Sequence, residues 1–206
     1  MSNDQLLSDA AIAGLAPATL PNHRASRYLG DQSNRAHGVD LLLEKWHDAV
    51  YMLPNTSARI VVDSRFAGVV CESCQEFAAL DRVVYNLLNN AVRNTADATV
   101  QLAILPVEPE LPRNLRFVVA NRVTDTQRAR LFERFGESLG ELFRGGFTTG
   151  GGGLGMRICA DFVCNAYGVA SIEQALAAGY FGAQLHDSLF VNWFHWPVAG
   201  ANSTQR

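Results

Sequence analysis

The sequence predicts an α+β fold: a two-layer α/β sandwich with helices on one face of a mixed, mostly antiparallel sheet. Three observations carry this reading. Ala98–Leu105 and Leu115–Ala120 are apolar runs joined by the Pro-rich turn Pro106–Pro112. Tyr180–Leu185 and Leu189–Pro197 form a second such pair around His186-Asp187-Ser188. The segments between and before these hairpins carry apolar residues at helical steps of three and four. With 206 residues, 48% of them hydrophobic, the chain has enough apolar surface for one substantial core.

Each element follows from local pattern. Residues 1–33 mix small apolar, Pro, Asn and Ser residues without periodicity and are expected to be poorly ordered. Residues 34–57 read as an N-terminal helix and linker. The helix runs from about Asn34 to Met52 on a stripe of Val39, Leu42, Leu43, Trp46 and Val50, and Pro54-Asn55-Thr56-Ser57 breaks it. Strands are expected at Ala58–Asp63 and Ala67–Cys71. The clearest helix follows, because Leu80, Val83, Val84, Leu87, Leu88 and Ala91 make one broad apolar face. A short helix spans Asp125 to about Phe135 with Thr124 or Asp125 as N-cap. After the glycine-punctuated stretch Gly136–Gly153, a last helix carries Met156, Cys159, Phe162, Val163, Ala166 and Tyr167, with Gly168 as its C-cap. Residues 199–206 read as a disordered tail.

Bulk properties narrow the function classes. Seventeen basic against 20 acidic residues, a formal charge of −3, give no general attraction to nucleic acid or an anionic membrane. No apolar run reaches the roughly 20 residues that span a bilayer, and no secretory leader is apparent, so a cytoplasmic location is expected. The pairs Cys71-x2-Cys74 and Cys159-x4-Cys164 lack a His at zinc spacing and read as core and surface thiols. Trp193-Phe194-His195-Trp196-Pro197 reads as sheet packing, and Arg128, Arg130 and Arg134 as a solvated helix side.

Two segments invite chemistry. Gly150–Gly153 are four consecutive glycines opening a helix, which suits either an anion site or an ordinary hinge. Asn86 and Asn90 stand one turn apart beside the apolar stripe, with Arg93 and Asn94 continuing that edge. Carboxamides so spaced present oxygens to a common ligand, or bond locally at the rim of the core.

In combination these segments resemble a known family. Asn86-Leu87-Leu88-Asn89-Asn90-Ala91-Val92-Arg93-Asn94-Thr95 is similar to the N-box of histidine-kinase-type ATP-binding domains, the GHKL family with the Bergerat fold. Leu131-Phe132-Glu133-Arg134-Phe135 resembles their F-box, and Gly151-Gly152-Gly153-Leu154-Gly155 their second glycine box. The three occur in the family's order, and the resemblance sets a domain at residues 58–198. It implies that Asn90 holds the magnesium ion bridging the ATP phosphates, with Asn86, Arg93 and Asn94 nearby. A hard cation prefers such oxygen ligands. The resemblance further implies that Phe132 and Phe135 anchor a mobile lid, Gly136–Gly150, closing over ATP. Thr148 and Thr149 would bond phosphate or close that lid. Gly151, Gly153, Leu154 and Gly155 would bring backbone N–H groups to the phosphates.

The chain also departs from the family pattern. The family's Asp-x-Gly-x-Gly box is replaced by Ala120-Asn121-Arg122-Val123-Thr124. Asn121 would accept from the adenine amino group through a neutral oxygen, a weaker acceptor than a carboxylate, so weak, altered or absent adenine recognition is expected. The family's ATPases carry a Glu four residues before the magnesium ligand. Asn86 stands there and is no base near neutral pH, so phosphoryl transfer is expected rather than hydrolysis. His47-Asp48 matches a phosphoacceptor dipeptide, with His37 on the same predicted helix, but Pro54 leaves no room for the second helix of a hairpin. No autophosphorylation at either His is expected.

The resemblance thus implies the ATP-binding catalytic domain of a sensor histidine kinase in two-component signalling. Such a transferase passes phosphate from ATP to a His on another segment or chain. Two alternatives stay open: a degenerate kinase-like module that docks a partner with weak or no ATP binding, and an anti-sigma-factor-type serine kinase. The implied partners are ATP and a phosphoacceptor His-containing domain or response regulator. A homodimer would form through regions outside the core, and neither nucleic acid nor a membrane is expected to contact this segment.

Overall fold

A computed structural model of the chain describes residues 36–146 and 153–199. In order these form β1 (His37–Gly38), α1 (Asp40–Trp46), β2 (Val50–Leu53), β3 (Thr56–Ser64), β4 (Val69–Cys71) and α2 (Cys74–Asn94). Then come β5 (Thr99–Pro106), β6 (Asn114–Arg122), α3 (Asp125–Phe135) and a 3-10 helix (Leu139–Arg144). α4 (Gly155–Tyr167), α5 (Ile172–Ala177), β7 (Phe181–His186) and β8 (Leu189–Pro197) complete the fold. The expected N-terminal segment, and all of the expected tail except Ala199, lie outside the described residues.

Six strands make the main sheet in the order β2-β3-β5-β6-β8-β7. Only β3 and β5 run parallel, and α2 is the crossover that such a pair requires. The predicted hairpins are both present, with Ile104 opposite Phe117 and Gln184 opposite Val191. The predicted stripe of α2 is buried throughout. It packs with α4 on one face of the sheet, over Ile60, Leu102, Phe117, Val119 and Phe194. Phe117 and Phe194 stack at 4.8 Å between ring centroids. A smaller apolar cluster, including Val118, Ala120 and Trp193, occupies the opposite face. Among the described residues no helix is long and apolar enough to cross a membrane.

Helix ends follow their caps. Ser73 accepts from Glu76 N at the start of α2, and Gly168 ends α4 in the left-handed conformation at φ 67°. At α3 the cap is Thr124, which forms a reciprocal capping box with Gln127. Thr124→Ala is expected to cost about 1 kcal/mol. Thermal unfolding should record this as a midpoint roughly 3 °C lower.

The structure corrects the reading of the N-terminal helix. It covers Asp40–Trp46, not the span to Met52, and Asn34 lies outside the described residues. Asp48 turns the chain at φ 58° and is held there by Arg59 at 2.9 Å. Beyond it β2 pairs with β3 around Pro54-Asn55, with Leu53 opposite Thr56. Val50, assigned to the helix stripe, is 64% exposed, while Tyr51 and Leu53 pack against the core. His47 is the exposed residue that caps α1, and His37 belongs to β1, so neither sits within a helix. α5 was not expected.

Candidate functional site

A cleft of about 590 Å³ opens between α2, the end of β6, α3 and the start of α4. α2 contributes Asn86, Asn89, Asn90, Arg93 and Asn94. Burying the stripe from Leu80 to Ala91 fixes the rotation of the helix, and the neighbouring edge then faces the cleft. Asn94 Nδ2 donates to Asn90 Oδ1 at 3.1 Å and to Asn90 O at 2.8 Å. The first bond orients the Asn90 amide and leaves its oxygen a second lone pair. Asn86 has a buried Nδ2 without an acceptor, beside the Cys159 thiol. Burial pushes that thiol up to about 12, and burial likewise raises Cys164 to about 11. Both behave as inert core groups. Cys71 is also buried, and Cys74 is exposed with Sγ 3.5 Å from His37 Nε2.

The far end of the cleft is formed by β6 and β8. Asn121 is fully buried, and its Nδ2 donates to Arg122 O at 3.2 Å. Its Oδ1 has no partner. A buried amide oxygen left unpaired costs about 1–3 kcal/mol, so this atom is a natural ligand contact. Val123 and Phe190 provide apolar surface around it.

Gly153, Leu154 and Gly155 line the opposite wall. Leu154 caps α4 without a side-chain hydrogen bond, and the first turn holds no acidic residue. The N–H groups of that turn and its positive dipole end are therefore available to an anion. Gly145 and Gly146 both stand at φ 84°, and Gly146 N donates to Gly153 O at 3.1 Å. These glycines bring Gly146 and Gly153 side by side. Thr148, Thr149 and Gly151 lie outside the described residues, as do Gly150 and Gly152.

The F-box aromatics do not reach the cleft. Phe132 is 66% exposed and Phe135 packs against the core at the end of α3. The expected lid is also anchored over its first half. Leu139, Leu142 and Phe143 are buried, Phe143 lies 4.7 Å from Phe181 between ring centroids, and Leu142 lines the cleft. Several lining residues were missed, among them Gln127 and Arg130 of α3, which stand at i and i+3 on one side of the helix. Their spacing was the available signal, hidden because Arg130 reads equally well as a solvated arginine.

The described lining residues include two arginines, several carboxamides, and neither carboxylate nor histidine. Such a wall suits a polyanion and offers no side chain that takes a proton near neutral pH.

The family of histidine kinase-, DNA gyrase B- and HSP90-like ATPases matches residues 76–183, a little over half of the chain. Similar solved structures include the nucleotide-free catalytic domain of histidine kinase ThkA, at 15% identity and TM-score 0.44, covering 78% of this chain and 85% of that one. Acinetobacter baumannii histidine kinase AdeS is 14% identical with TM-score 0.44, covering 82% and 71%. Full-length ShkA in complex with AMPPNP is 20% identical with TM-score 0.41; the match covers 68% of this chain and only 26% of that one. No curated protein matches the sequence. On the family match, the chain belongs to the histidine kinase-, DNA gyrase B- and HSP90-like ATPases.

Proposed function

We propose that this chain is the ATP-binding catalytic domain of a histidine kinase in cytoplasmic two-component signalling, passing the γ-phosphoryl group of ATP to a His on another segment or chain. The carrying observation is the cleft's chemistry: Arg93 and Arg130 with no carboxylate among the described lining residues, in a chain of net charge −3. The donor set fits a hydrated magnesium ion and phosphates. Asn90 keeps a free lone pair on an oriented oxygen, Asn86 and Asn94 flank it, and hard cations take such ligands. When bound, the ion would neutralise phosphate charge in the transition state.

The protein's own groups then divide the work. Arg93 and Arg130 balance phosphate charge, and the N–H groups from Gly153 to Gly155 donate to phosphate oxygens. Asn121 Oδ1 accepts from the base. Without a carboxylate to activate water, catalysis rests on positioning the acceptor. Thr148, Thr149 and Gly151 belong to the phosphate side of the same proposal, and Phe132 and Phe135 to the base of the lid.

Calorimetric titration with ATP and magnesium tests the reading. Wild type should bind, and Arg130→Ala should weaken ATP about fivefold while leaving adenosine unchanged. Equal losses for both ligands would remove Arg130 from the phosphate side. Asn121 in place of the family's Asp favours a second reading, a module that docks a partner. Wild type that binds no nucleotide would support that alternative.

A further inference from the structure

We propose that Asn192, on β8, is a specificity-determining residue at the base end of the cleft and acts with Asn121; the inference rests on the nucleotide-binding reading above. Asn192 is fully buried, and neither its Nδ2 nor its Oδ1 has a hydrogen-bond partner. Among the described residues it is the only side chain with two such atoms. Buried amides are normally satisfied, so a doubly unpaired one calls for an explanation.

Strand register supplies its position. Asn192 stands opposite Val119 on β6 and Ala183 on β7, while Asn121 stands opposite Phe190. Alternate residues of a strand share a face, so Asn121 and Val119 lie on one side of the sheet with Phe190 and Asn192. This is the helix-covered side, since Val119, Phe190 and Phe194 all belong to the main core. Asn121 and Asn192 are therefore diagonal neighbours across the β6–β8 pair. Diagonal partners stand about 7–8 Å apart along the backbone, a gap that one water molecule or a ligand edge bridges. Asn121 and Phe190, the pair next to Asn192, both line the cleft.

The two amides differ in freedom. The bond from Asn121 Nδ2 to Arg122 O leaves Oδ1 as the outward acceptor, suited to an exocyclic N–H. Nothing fixes which way Asn192 is turned, so it can offer Nδ2 to the ring nitrogen beside that amine, directly or through one water. An amino donor next to an unprotonated ring nitrogen is the edge of a 6-aminopurine. A 6-oxopurine presents the reverse pattern and meets Asn121 Oδ1 with its own oxygen. Two neutral amides thus read the base.

The test is calorimetric titration of magnesium-ADP and magnesium-IDP into the full chain, with thermal unfolding of each ligand-free protein. Wild type should prefer ADP by about fivefold or more. Asn192→Leu, similar in size and apolar like its neighbours, should hold or raise the thermal midpoint. Its ADP affinity should fall about tenfold, and the preference over IDP should shrink toward unity. Asn192→Thr, which keeps a hydroxyl, should fall between them and carries the same test if the Leu variant does not fold. ADP affinity within twofold of wild type in a folded variant overturns the role of Asn192 and leaves the nucleotide reading standing. Wild type that binds neither nucleotide overturns both.

Discussion

Asn90→Ala is expected to lower the affinity for magnesium-ATP by about 100-fold, on the order seen when a metal ligand or its support is removed. Asn90 sits on α2 just outside the buried stripe, half-buried at the cleft edge, and Ala is a better helix former than Asn. The fold should therefore survive, with a thermal midpoint at or slightly above wild type. The lost atom is Oδ1, which the Asn94 Nδ2 bond at 3.1 Å keeps oriented. Asn94→Ala should act in the same direction but more weakly, since it removes the support of the Asn90 amide and leaves the Asn90 oxygen in place. Chelation separates a metal role from a steric one. In excess EDTA the wild type and Asn90→Ala should bind ATP equally weakly, and a difference that persisted without metal would remove Asn90 from the ion site.

Elements whose local pattern agrees with their tertiary setting were legible in the sequence. α2 announces itself because the stripe from Leu80 to Ala91 is also the surface it buries. Both hairpins read correctly because their strands are core strands with clear turns between them. β2 was hidden by competition between periods. Trp46 and Val50 stand four apart and extend a helical stripe, but Val50 and Met52 face outward while Tyr51 and Leu53 face the core. The decision is made by a left-handed Asp48 and its Arg59 partner eleven residues on, a polar pairing that apolar periodicity does not register. The first half of the lid was hidden for a similar reason. Its glycines suggest motion, while Leu139, Leu142 and Phe143 find partners on the core. At the site, Asn86, Asn90, Arg93, Asn94 and Asn121 all line the one cleft. Arg130 and Asn192 did not stand out. One looks like any surface arginine, and the other becomes unusual only when its missing partners are counted.

Acid should destabilise this fold through His195, and His195→Gln should remove that part of the loss. His195 is fully buried on β8, opposite Arg116 on β6. Arg116 Nε donates to His195 Nε2 at 2.9 Å, which requires that nitrogen to be unprotonated. The proton therefore sits on Nδ1 and is donated to Tyr180 O at 3.0 Å. Burial first, and the Arg116 charge second, push the imidazole down to about 4. The folded value lies below the ordinary 6.5, so the unfolded chain binds the extra proton first. Stability is fully present above pH 6.5 and is lost as the pH falls toward 4, by about 3 kcal/mol over the whole window. Gln replaces both bonds, since its oxygen accepts from Arg116 and its nitrogen donates to Tyr180 O, yet it does not titrate. Urea unfolding at pH 7 and pH 4.5 provides the measurement. Wild type should lose about 2–3 kcal/mol more than His195→Gln between the two conditions. Equal losses would mean that the imidazole is protonated in the folded protein, an arrangement that the donor geometry of Arg116 forbids.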